Sequence, residues 1–120
     1  MATYDNNNIF AKILRGEIPN TTVYEDDHVL AFDDIAPQAP VHVMVIPKGK
    51  YISMTDFAET ASDTEIAALN RAVLKVVEAK GLKESGYRTL VNNGDDGGQE
   101  IPHLHIHFCG GKPLGPLFSK

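Results

Sequence analysis

His103-Leu104-His105-Ile106-His107-Phe108-Cys109 is the stretch on which the fold turns. Histidine alternates with leucine, isoleucine and phenylalanine. That is the period of a β-strand, whose successive side chains point to opposite faces. One face carries three imidazoles and the other carries three large apolar groups. The spacing therefore predicts a strand over Leu104–Phe108. Its apolar face anchors in a core, and its imidazole face turns to a cleft or to solvent.

Three chemistries fit such a face. A half-buried strand with a His-rich polar side is the plainest, but surface strands use Thr, Lys or Glu there, and three adjacent imidazoles repel one another once protonated. A metal site is the second. Alternate strand residues lie ~6.7 Å apart, so the first and third lie ~13 Å apart, whereas zinc needs its nitrogens at ~2.0 Å. One straight strand cannot bring all three to one ion. Two could reach it, with a further ligand from His42, Asp95, Asp96 or Glu100. A nucleophile is the third. A neutral imidazole has one basic nitrogen and one N–H donor. It can attack phosphorus, form a covalent intermediate and be displaced by water. Its spent N–H must be held by a carbonyl or carboxylate. Phosphoryl transfer also asks for donors on the equatorial oxygens. On this reading His105 is the nucleophile, with His103 and His107 as its helpers.

The rest of the chain bounds these options. Its 120 residues make one domain, residues 1–120, with a short tail over 112–120. A composition 42% hydrophobic and 22% charged is that of a folded globule, not a disordered chain. A formal net charge of −5 argues against a nucleic-acid backbone as partner. A single small nucleotide stays open, because a few local donors can meet its phosphate. Cys109 is the only cysteine, which excludes a disulfide framework and a cysteine-based zinc site. A lone thiol fits a reducing compartment. Met1–Asn6 lacks the basic start and apolar run of a signal peptide. No apolar stretch approaches the ~18 residues of a membrane span. A cytoplasmic protein with no membrane partner is the expectation.

Local signals outline the elements. Asn6, Asn7 or Asn8 caps a short helix over Ile9–Arg15, ended by Gly16. Thr21–Glu25 and His28–Asp33 form a hairpin about Asp26-Asp27. Val41–Ile46 is the strongest apolar strand, stopped by Pro47 and Gly49. Ser62 and Glu65 spell a capping box, Ile66, Leu69, Val73, Val76 and Val77 fall at helical spacing, and Gly81 closes one long helix over Ser62–Lys80. Arg88–Val91 is another strand, and Asn92–Pro102 is a polar loop before the histidines. The order implies an α+β domain: a five-stranded antiparallel sheet with one long and one short helix packed on one face. The last strand lies at or near an edge, where it could pair with a second copy. There is no Walker phosphate loop, no Gly-x-Ser-x-Gly elbow and no dinucleotide-binding fingerprint.

Several blocks in a fixed order resemble the histidine triad nucleotide-binding superfamily, in its Hint branch of nucleoside phosphoramidases. They are Ile9-Phe10-Ala11-Lys12-Ile13, Glu17-Ile18-Pro19, Ala31 through His42, and Val45-Ile46-Pro47-Lys48. Asn92, Asp96-Gly97-Gly98-Gln99, the alternating histidines and Gly110-Gly111 complete the set. The resemblance covers almost the whole chain. It implies a homodimer whose two sheets join, and hydrolysis of the P–N bond of a purine nucleoside 5′-phosphoramidate to AMP or GMP and an amine. It implies no metal and no other cofactor. It makes His105 the nucleophile that becomes nucleotidylated. His103 and His107 orient the phosphate and tune the nucleophile, with His42 as a fourth imidazole. Asp34 would bind the ribose hydroxyls. Ile9, Phe10, Ile13, Phe32 and Ile35 would line the base pocket. Asn92, Gly98 and Gln99 would approach the phosphate. A nucleotide-binding dimeric scaffold with residual hydrolase activity is the alternative.

Without the resemblance these residues read more plainly. Phe10, Phe32 and the isoleucines are core, Asp34 caps the turn before Pro37, Gly97-Gly98 is loop and His42 is a core histidine. Three features depart from the better-known animal members. Glu100 stands where they carry Ser, and Lys50-Tyr51 replaces a common His. The tail Lys112–Lys120 has no Trp, although Pro113, Leu114, Pro116, Leu117 and Phe118 suit a lid or dimer arm. The departures look like those of bacterial members. Gly110-Gly111 stands where the dinucleoside polyphosphate branch has a Pro-Arg pair.

Overall fold

Local chemistry sets several of the element ends. The computed structural model describes residues 3–117. In chain order these form α1 (Ile9–Leu14), β1 (Thr22–Glu25), β2 (Val29–Asp33), β3 (Val41–Pro47), α2 (Met54–Thr60), α3 (Asp63–Lys80), β4 (Tyr87–Leu90) and β5 (Ile106–Gly110). Asn8 caps α1, its side chain accepting from the Ala11 N–H at 2.9 Å. Asp26 closes the first hairpin by accepting from the amides of His28 and Val29. Ser62 and Glu65 form the capping box of α3, and Gly81 ends it at φ +68°, a conformation that glycine adopts without strain.

The strands form one antiparallel sheet in the order β1-β2-β3-β5-β4. One face buries Val29, Ala31, Val43, Val45, Leu104, Ile106 and Phe108 against Leu69, Ala72, Val76 and Val77 of α3 and Phe57 of α2. The other face buries Leu30, Phe32, Met44 and Ile46 against Phe10 and Ile13 of α1. The sheet thus splits each strand's alternation into two cores of unequal size.

Three expectations need correction. There are three helices, not two. Helix α2 has seven residues and buries only Phe57, so no helical periodicity betrays it. Its one signal is a capping box from Ser53 to Asp56. The helices lie on both faces of the sheet, because the apolar stripe of α1 meets the even-numbered residues of β2 and β3. The last strand starts at Ile106, two residues late, because the Leu104 N–H leaves the ladder to donate to the Tyr51 carbonyl at 2.8 Å. That strand lies near the edge, as expected, with β4 on the edge itself. Arg88 of β4 donates to the Gly115 carbonyl at 2.6 Å, tying the tail to that edge; Phe118 lies outside the described residues. Among the described residues no helix is long and apolar enough to cross a membrane.

Phe108 is fully buried and stacks on Tyr87 with ring centroids 4.7 Å apart. Phe108→Ala is expected to destabilise the fold by about 4 kcal/mol, the usual cost of such a cavity. Urea unfolding checks this, and a loss below about 1 kcal/mol would mean that the site collapses on the gap.

Candidate active site

The register of β3 against β5 decides which side chains meet. Met44 pairs with His107 and His42 with Cys109, so all four share the face that α1 partly covers. His42 is then a diagonal neighbour of His107, within reach of its ring. A cavity of about 450 Å³ opens on this face. Of the residues singled out in the sequence, Ile9, Phe10, Ile13, Phe32, Asp34, Ile35, Asn92, Gly98, His105 and His107 line it. Ile35 stands at its mouth, 94% exposed. Met44, Asn20, Ile18, Ile101 and Glu100 also line it. A larger groove of about 680 Å³ runs between Leu82–Arg88 and Gly110–Leu114 and contains no histidine. The chemistry converges on the smaller cavity.

Backbone partners determine where each imidazole carries its proton. His105 Nδ1 lies 2.7 Å from the His103 carbonyl oxygen, which can only accept. Nδ1 therefore carries the hydrogen, and Nε2 keeps its lone pair. His103 Nε2 lies 2.9 Å from the Pro47 carbonyl oxygen and must donate to it. Its Nδ1 then accepts from the Tyr4 hydroxyl at 2.6 Å. The Gln38 N–H donates to His42 Nδ1 at 3.0 Å, so His42 carries its hydrogen on Nε2. That Nε2–H donates to His107 Nδ1 at 3.0 Å, which leaves neutral His107 with an N–H on Nε2. Asp34 Oδ2 lies 3.5 Å from the same His42 nitrogen.

Burial favours the neutral form of the three alternating histidines. Desolvation is the largest cause pushing the pKa values of His103, His105 and His107 below the ordinary imidazole value. The neighbouring imidazoles His105 and His42 push His107 further down. Phe10 meets His105 edge to face, with centroids 5.0 Å apart. An uncharged ring with a free lone pair is a nucleophile or base, and a neutral N–H is a donor for an anion.

Three of the singled-out residues do not line the cavity: His42, which reaches it only through its bond to His107, His103 and Gln99. His103 is 0% exposed, and both of its nitrogens are engaged. Gln99 turns its amide into its own loop, donating to the carbonyls of Ile52 and Ile101 and accepting from the Gly94 N–H. Asp34 accepts from the Ala36 N–H at 3.0 Å, which is the turn-capping role, while also lining the cavity. Sequence reasoning missed Tyr4, as it missed the cavity walls Ile18, Asn20, Met44 and Ile101. Tyr4 lies 99 positions from its partner, and no local pattern marks it. Among the described residues no three His, Cys, Asp or Glu side chains gather as a metal site.

The family model of the HIT domain matches residues 15–114. The chain belongs to the HIT family. Across 118 residues it is 57% identical to a 13.2 kDa HIT-like protein of Azospirillum brasilense, covering 98% of this chain and 97% of that one. It is 41% identical over 111 residues to the purine nucleoside phosphoramidase of Escherichia coli, covering 92% of each. Among solved structures, a histidine triad protein from Clostridium difficile superposes with a TM-score of 0.83 at 42% identity, covering 98% of this chain and all of that one. A HIT family hydrolase from Clostridium thermocellum gives a TM-score of 0.86 at 39% identity, covering 96% of this chain and 99% of the other. The five-stranded antiparallel sheet is the fold that this HIT chain shares with both.

The lowered imidazole pKa values set a pH dependence. An unfolded chain would hold these histidines near 6.5 and bind more protons than the folded chain just below that pH. Their contribution to stability is full above that value and is lost as the pH falls through the folded pKa values. The urea midpoint is expected to be lower at about pH 5 than at about pH 7, a window above the range where carboxylates titrate. Equal midpoints would show that the rings titrate alike in both states.

Proposed function

We propose that this HIT protein hydrolyses the P–N bond of purine nucleoside 5′-phosphoramidates, releasing a nucleoside monophosphate and an amine. The observation that carries the reading is the 2.7 Å bond from His105 Nδ1–H to the His103 carbonyl. It presents the Nε2 lone pair on the cavity side and holds the ring against rotation. The name of the Escherichia coli relative supports the substrate class.

In this mechanism His105 Nε2 attacks phosphorus in line with the P–N bond. That bond breaks, and its electron pair goes to the nitrogen, which takes up a proton from solvent and leaves as the amine. The nucleotide is now carried on His105, whose retained Nδ1–H offsets the new positive charge by donating to the His103 carbonyl. The His107 Nε2–H donates to a phosphate oxygen and stabilises the charge that develops there. Water then attacks phosphorus from the vacated side. The bond to Nε2 breaks, the nucleoside monophosphate leaves, and the water returns a proton to solvent. No step calls for a metal or other cofactor.

Binding follows from the lining. Phe10, Phe32, Ile9, Ile13 and Ile35 offer apolar faces to a purine. Asp34 can accept from ribose hydroxyls. Gly98, at φ +72°, lets backbone approach the phosphate, with Asn92 beside it. Glu100 on the same rim disfavours an anionic leaving group. The unpaired edge of β4 would join a second copy, making a homodimer with one continuous sheet.

Hydrolysis of adenosine 5′-phosphoramidate with EDTA present tests the reading. His105→Ala should lower turnover by at least about a thousandfold and leave AMP binding in place. A folded wild type that binds AMP without turnover would overturn the hydrolase and favour a nucleotide-binding scaffold. Activity lost only on adding EDTA would point to a metal. Sedimentation at twice the chain mass is expected for the dimer, and a monomer at working concentration would remove it.

A further inference from the structure

We propose that Tyr4 is a positioning residue for the reacting imidazole: its hydroxyl locks His103, whose carbonyl holds His105 in its attacking orientation. The inference rests on the reading of His105 as nucleophile.

The argument begins with His103. It is wholly buried, and its Nε2 is committed to the Pro47 carbonyl, so its Nδ1 must find a donor without help from bulk water. The Tyr4 hydroxyl supplies that donor at 2.6 Å, with the two rings edge to face at 5.6 Å. The residue after Tyr4 is itself held. The side chain and backbone N–H groups of Asn8 both donate to the Asp5 carbonyl, and the Asn7 N–H donates to the Asp5 side chain. This turn joins Tyr4 to the cap of α1. The same helix carries Phe10, which packs on both His103 and His105.

Without the hydroxyl, His103 Nδ1 is a buried acceptor with no partner. The ring must then rotate, take a proton or admit a water molecule. Each response disturbs the backbone at His103, and the His103 carbonyl is the group that receives the His105 Nδ1–H. The N-terminal segment thus acts on the site through two linked hydrogen bonds, without lining the cavity: Tyr4 is not among its walls.

Tyr4→Phe removes only the hydroxyl and keeps the ring packing. Two measurements on the full chain decide the matter. In the ligand-free protein, imidazole nitrogen NMR should show the His103 Nδ1 signal moving toward that of a free lone pair. The His105 Nδ1–H signal should shift with it. On adenosine 5′-phosphoramidate, kcat should fall about tenfold while KM changes less than about twofold, since the altered group orients the nucleophile and does not bind substrate. A folded variant with unchanged His105 signals and unchanged kcat would overturn the proposal. Should the wild type not turn over this substrate, the hydrolase reading falls by itself. The NMR comparison then decides the Tyr4 link: a shifted His105 signal upholds it and an unchanged one overturns it.

Discussion

Strand β5 lies between β3 and β4, and it cannot turn about its own axis without breaking ladder hydrogen bonds on both sides. Its alternation must therefore resolve into two opposite environments. Ile106 and Phe108, with Leu104 just ahead of the strand, enter the core beneath α2 and α3. His105 and His107 reach the cavity on the other face. A register slip of one residue would move three large apolar groups to the cavity face and the imidazoles into the apolar core. Burying each such apolar group is worth roughly 1.5–3 kcal/mol, so the slipped sheet is far less stable. The core thereby aims the site.

Aiming is only half of the arrangement. The protonation pattern of the four imidazoles rests on three main-chain groups: the Pro47 carbonyl, the His103 carbonyl and the Gln38 N–H. Main-chain partners do not titrate, and they move only if the fold moves. Each ring is given a single tautomer with no carboxylate inside normal hydrogen-bond distance; Asp34 stays at 3.5 Å from His42. The same burial disfavours the charged forms of His103, His105 and His107. A charged His105 would have no lone pair to offer, so exclusion of water and the free lone pair have one physical origin.

Legibility varied with the range of the interaction. Asn8, the Ser62–Glu65 capping box, Gly81 and the Asp26 turn act on residues at most four away, and all were visible as local chemistry. Helix α2 was not, because one buried phenylalanine makes no period. The side of the sheet that α1 covers was also hidden, since an apolar stripe of Ile9, Phe10 and Ile13 fits either face of a sheet. The aromatic and aliphatic positions read as core are both core and cavity wall: Phe10 and Phe32 are buried and also line the opening. Gln99 shows the opposite case, its amide spent on a loop whose shape the residue type does not reveal.

The period-two histidine run, taken alone, already pointed to extended backbone with an imidazole face and an apolar face, because successive side chains of extended L-residues alternate. Composition and the single cysteine likewise excluded disulfide scaffolds and cysteine-ligated zinc without any coordinates. Which nitrogen of each ring bears the proton was decided only in three dimensions. So were the meeting of His42 with His107 and the reach of Tyr4 to His103. Those outcomes depend on partners 65 and 99 positions away, or on main-chain atoms that every residue carries alike. Local patterning holds no record of either, and only the folded sheet brings them within hydrogen-bond distance.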